Sequence, residues 1–93
     1  VVVAKNDRLR VEDAAPFDKI LLSPGPGLPA EAGQMPALLK AWGPSKSILG
    51  ICLGHQAIGE QFGGLLVQLA APLHGIASPL QICCDDYLFN HLP

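Results

Sequence analysis

Ninety-three residues with a net charge of −2, 49% of them hydrophobic and 15% charged, make at most one small domain, globular rather than disordered. No run of Lys or Arg points to nucleic acid or an anionic membrane surface as a partner, and no apolar stretch is long enough to span a bilayer. The start Val1-Val2-Val3-Ala4 lacks the basic residues of a secretory signal. Three cysteines, an odd number with two adjacent, do not make a disulfide framework and predict a reducing, cytoplasmic setting.

In chain order, residues 1–4 read as a buried strand, closed by the polar turn Lys5-Asn6-Asp7. Leu9, Val11, Ala14 and Ala15 are too sparse for an amphipathic helix, and Pro16 ends whatever forms there. Residues 17–22 contain Ile20-Leu21-Leu22, expected as a parallel strand. Ser23-Pro24-Gly25-Pro26-Gly27-Leu28-Pro29 follows at that strand's C-terminal end. Three prolines and two glycines in seven residues cannot enter a helix or a central strand. They make a stiff loop that can hold backbone N–H groups toward a ligand, at the end of the sheet where open α/β folds bind one. A tight surface turn is the alternative. Residues 31–33 lead into Pro36-Ala37-Leu38-Leu39-Lys40-Ala41-Trp42, a short helix with Pro36 in its first turn and Gly43-Pro44 as its stop.

The next stretch organises the chain. Ile48-Leu49-Gly50-Ile51 has the length and branched content of a buried strand. After it, Leu53, Ala57, Ile58 and Phe62 share one face of a helix that Gly63 would end. Between strand and helix lies Gly50-x-Cys52-x-Gly54, a nucleophile-elbow spacing with cysteine at its centre. A strand turning directly into a helix strains the middle residue and projects its side chain; small residues two positions away on either side let the backbones pass. The positive end of a helix dipole favours negative charge there, and the free N–H groups of the first turn, Leu53 foremost, can face an oxyanion. The alternative is that Cys52 is a small core residue.

Leu65 to Leu69 is expected as a further strand, broken by Ala70-Ala71-Pro72. Residues 74–80 alternate loosely into Gln81-Ile82-Cys83-Cys84, expected as a strand pair or edge; Asp85-Asp86 is a turn and residues 87–93 a short terminal segment. Cys83 and Cys84 have no partner at metal-ligand spacing and are expected to be structural.

The proline–glycine loop together with Gly50-Ile51-Cys52-Leu53-Gly54-His55-Gln56-Ala57-Ile58-Gly59 resembles the class I glutamine amidotransferases, and most of all the glutaminase subunits of anthranilate synthase and para-aminobenzoate (aminodeoxychorismate) synthase. The likeness runs from Val1 through His74-Gly75-x-x-Ser78-Pro79. It implies an α/β, flavodoxin-like open and mostly parallel sheet. It also implies a glutaminase that passes ammonia to a chorismate-using synthase subunit in tryptophan or folate synthesis, with L-glutamine as substrate and no cofactor or metal. By position, Cys52 resembles the nucleophile and Gly25 and Leu53 the oxyanion-hole donors. Gly25, Pro26 and Gly27 resemble the loop lining the glutamine site, and Gln56 a substrate contact; spacing of four residues puts Gln56 on the helix face of Cys52.

The family's base is a histidine oriented by a glutamate two residues later, and neither His55, His74 nor His91 stands in such a segment. His55, inside the elbow helix, is expected to pack or hydrogen-bond. A cysteine nucleophile needs a base held by a third group, so residues 1–93 are expected to be part of a single amidotransferase domain whose first strand and helix and whose C-terminal His/Glu segment lie outside them. The 93 residues alone are then expected to be inactive. Two other readings stand beside this one: a non-catalytic amidotransferase-like scaffold or regulatory subunit, and another cysteine hydrolase using the same elbow.

Overall fold

A computed structural model describes all 93 residues. Two parallel strands, β1 (Lys19–Leu22) and β2 (Ser47–Gly50), pair in the register Lys19 to Ser47, Ile20 to Ile48, Leu21 to Leu49 and Leu22 to Gly50. The crossover between them carries a short 3-10 turn (Pro29–Glu31) and α1 (Met35–Trp42); α2 (Leu53–Gln61) follows β2 after two residues. Further 3-10 turns lie at Val11–Ala14 and Tyr87–Phe89. The arrangement is the β-α-β unit of an α/β fold, as expected, built around one parallel pair.

Sequence explains the boundaries. Pro36 occupies the first turn of α1, where its missing N–H costs nothing. The helix ends as Gly43 donates its N–H to Leu39 O at 2.8 Å, and a Cβ on Gly43 would come within 2.5 Å of that same oxygen. At the other helix, Gly63 takes φ 90°, the left-handed conformation that stops α2 where its sequence predicts. Along the strands the side-chain period of two splits the sheet: Leu22 is buried and Ile20 and Ile48 half-buried on the helix side. Leu21, Leu49 and Ile51 are exposed on the other. The core is Leu22, Ala32, Met35, Leu38, Leu39, Leu53 and Ala57, so α1 and α2 meet over the end of β1. Of the expected α2 face, Leu53 and Ala57 are buried and Ile58 half-buried, whereas Phe62 at the helix end is exposed.

Three expected strands do not form. Residues 1–4, 65–69 and 81–84 carry no regular structure and are exposed. Branched apolar residues favour a strand only where a neighbouring strand accepts and donates the ladder bonds. No residue from 65 to 85 donates a backbone–backbone hydrogen bond, and β1 and β2 pair only with each other.

Candidate active site

The corner between β2 and α2 departs most from ordinary backbone. Cys52 has φ 55° and ψ −109°, a conformation that L-residues rarely adopt and that persists only where the surroundings impose it. Both flanking glycines supply that imposition. A Cβ on Gly50 would meet the carbonyl carbon and oxygen of Gly54 at 2.5 Å, and one on Gly54 would lie 2.4 Å from Leu22 O. The Gly-x-Cys-x-Gly spacing is therefore a packing requirement: the first turn of α2 crosses over its own incoming strand and rests on the end of β1. Ile51 carries the ladder one residue past β2 by donating to Leu22 O at 2.9 Å, and Gly54 N–H closes the corner onto Ile51 O at 3.1 Å.

This folding leaves the thiol outside. Cys52 is exposed, against the reading of a small core residue, and its sulfur makes no hydrogen bond within the chain. Leu53 does the opposite: its side chain is 3% exposed in the core, while its backbone N–H, first of those that no helical turn can satisfy, meets no acceptor. Gly25 lies against this residue. A Cβ there would come within 3.0 Å of Leu53 Cδ2, and the Gly25 N–H is also without an acceptor. Gly25 thus abuts the buried Leu53 side chain, and the N–H groups of both residues are without an acceptor in the chain. Pro26 and Gly27 continue the exposed wall, and Gln56, one turn beyond Cys52, is exposed with its N–H bonded to Cys52 O at 3.0 Å.

No histidine joins the group. His55 is exposed without a side-chain hydrogen bond, so the expectation that it packs or hydrogen-bonds is not met; His74 and His91 lie in exposed irregular chain. The one ion pair, Arg10 to Asp13 at 3.0 Å, sits in the turn before β1. Cys83 and Cys84, expected as structural residues, are both exposed, because the strand that would have buried one of them does not form. No three His, Cys, Asp or Glu residues cluster as a metal-binding group, and no helix is long and apolar enough to cross a membrane. Glu31 was not anticipated: its carboxylate accepts the Leu28 N–H at 3.0 Å, just past the proline–glycine wall. The signal was present in the spacing Leu28-x-x-Glu31, a helix-start pattern with an acid at the third helical position.

Comparison with known proteins gives the family. The family model described as "Glutamine amidotransferase class-I" matches residues 1–93. Anthranilate synthase component 2 of Thermus thermophilus is 47% identical over 81 residues, 85% of this chain and 40% of that protein. Its counterpart in Lactococcus lactis is 45% identical over 94 residues, 100% of this chain and 48% of that protein. Aminodeoxychorismate synthase component 2 of Escherichia coli is 43% identical over 82 residues, 86% of this chain and 44% of that protein. The chain spans less than half the length of these relatives.

Proposed function

This chain belongs to the class I glutamine amidotransferase family, and we propose that it carries the nucleophile and oxyanion wall of a glutaminase that supplies ammonia to a chorismate-using synthase. The observation that carries the reading is the exposed Cys52 thiol on a strained corner, followed by the unbonded N–H of Leu53, against whose side chain Gly25 lies. In the proposed reaction the Cys52 sulfur attacks the side-chain amide carbon of L-glutamine. Negative charge developing on the amide oxygen is met by the N–H groups of Leu53 and Gly25. The C–N bond then breaks, the leaving nitrogen takes a proton and departs as ammonia, and a glutamyl thioester remains. Water hydrolyses it, releasing glutamate and restoring the thiol. Residues 25–27 line the substrate, and the Gln56 amide pairs with its polar groups.

The proton must be moved by a base, and none of the three histidines bonds to Cys52. We assign the base and its orienting carboxylate to residues outside these 93, in keeping with relatives more than twice as long. The names of those relatives, component 2 of anthranilate or aminodeoxychorismate synthase, support a companion chorismate-using synthase subunit as the partner. Ammonia release from glutamine by the full-length protein, with its synthase subunit, should fall to background in Cys52→Ala. A glutamine-mimicking electrophile should modify Cys52 alone. Absence of modification in the full-length protein would favour the non-catalytic scaffold, and turnover by the 93-residue chain itself would place the base within it.

A further inference from the structure

We propose that Glu31 is a positioning residue for the oxyanion wall, holding residues 25–27 at the distance from Cys52 that the reaction requires; this rests on the glutaminase reading. The wall has little of its own to stiffen it. Gly25 and Gly27 donate no backbone hydrogen bond, the prolines have no N–H to donate, and the one side-chain bond inside the loop is from Ser23 Oγ to Pro24 O at 3.2 Å. Its geometry is therefore set at its two ends.

The entry is the buried end of β1 at Leu22. The exit is a reciprocal ring: Leu28 donates its N–H to Glu31 Oε2 at 3.0 Å, and Glu31 donates its own to Leu28 O at 2.9 Å. That ring sits on a base that cannot shift easily, since Pro29 is fully buried and Ala32 is 3% exposed. The carboxylate also occupies the space beside Gly27, where a Cβ would fall 2.6 Å from Oε2, and Gly27 holds φ 79°. One side chain thus caps the turn and packs against the wall's last glycine. Two residues upstream, Gly25 rests on Leu53. Without the carboxylate the Leu28 N–H turns to water, the left-handed Gly27 loses its backing, and the Gly25 donor is free to wander from its partner.

The test compares Glu31→Ala with Glu31→Gln, whose amide oxygen can still accept from Leu28, in the full-length protein. The rate of Cys52 modification by a glutamine-mimicking chloroketone should drop about tenfold to a hundredfold in the alanine variant, the range expected when a reacting group is misplaced by an ångström. It should recover in the glutamine variant. Modification of Cys52 by iodoacetamide, which needs no oxyanion wall, should be unchanged in both, so that the intrinsic reactivity of the thiol is controlled for. A parental protein that is labelled, with Glu31→Ala labelled equally fast, overturns the positioning role and leaves the glutaminase reading intact. A parental protein that is not labelled overturns the glutaminase reading and with it the role in catalysis. Amide exchange at Leu28, whose N–H the carboxylate holds, gives a readout independent of chemistry: it should quicken in Glu31→Ala and return to the parental rate in Glu31→Gln, and unchanged exchange overturns the tether.

Discussion

Cys52 holds its side chain outside the fold by means of a backbone conformation that is costly for any residue with a Cβ. At φ 55° and ψ −109° the cost is of order 1–3 kcal/mol. The neighbours impose it, since neither Gly50 nor Gly54 has room for a side chain. Cys52→Gly should therefore be more stable than the parent by about 1 kcal/mol, after allowing for glycine's larger loss of freedom on folding. Its denaturation midpoint should rise while electrophile labelling at this position disappears. A midpoint below the parent's would mean that the corner is not strained. This trade of stability for an exposed thiol is what a nucleophile demands and what a buried structural cysteine would have no reason to keep. The glycine spacing was legible in the sequence because it follows from local sterics; the identity of the obstructing atoms, Leu22 O among them, was not.

Among the elements, the turns around β1 are fastened by side chains reaching across the chain. Trp42 Nε1 donates to Val11 O at 2.7 Å, and Lys46 Nζ donates to Ala15 O at 3.0 Å and also to Phe17 O, with its ammonium 4.6 Å from the Trp42 ring centre. These bonds tie the segment entering β1 to the end of α1 and explain why a stretch too sparse for a helix is nonetheless ordered. The 3-10 turn at Val11–Ala14 begins with a charged clasp: the Arg10 N–H donates to Asp13 Oδ2 at 2.8 Å and its guanidinium to Oδ1 at 3.0 Å. The backbone bond first, and the guanidinium second, hold the Asp13 carboxyl below its ordinary 3.8. For a depressed carboxyl the stabilisation is present above the unfolded value and lost as pH falls through the folded one. The turn should open in acid below pH 3.8, not in base. A carbon-detected titration of Asp13 should give a midpoint below 3.8, and one at or above it would remove the clasp.

For the molecule as a whole, apolar surface is the conspicuous quantity. Nine of 93 residues are buried, while Leu21, Leu49 and Ile51 on the open sheet face and Leu65, Val67, Ile76 and Leu80 along the irregular chain are exposed. Parallel sheets are ordinarily covered on both faces, and a core this small supplies little cooperativity. The 93-residue chain on its own should bind anilinonaphthalene sulfonate at neutral pH and unfold over a broad range of denaturant. A steep transition without dye binding would show that these residues find more cover than the structure gives them.

What the sequence determined by itself was whatever depends on a residue and its near neighbours. The corner at Cys52, the irregular loop of residues 23–28, the stops at Gly43 and Gly63 and the two apolar runs that became β1 and β2 all follow from steric and capping rules acting over a few positions. Tertiary structure alone decided which apolar runs would pair, leaving residues 1–4, 65–69 and 81–84 without a ladder, and which face of the sheet the helices would cover. It also decided that Gly25 would come to rest on Leu53 and that Glu31 would clasp Leu28. A turn carries its cause in its own atoms, whereas a strand or a meeting of two loops exists only when another part of the chain supplies the partner.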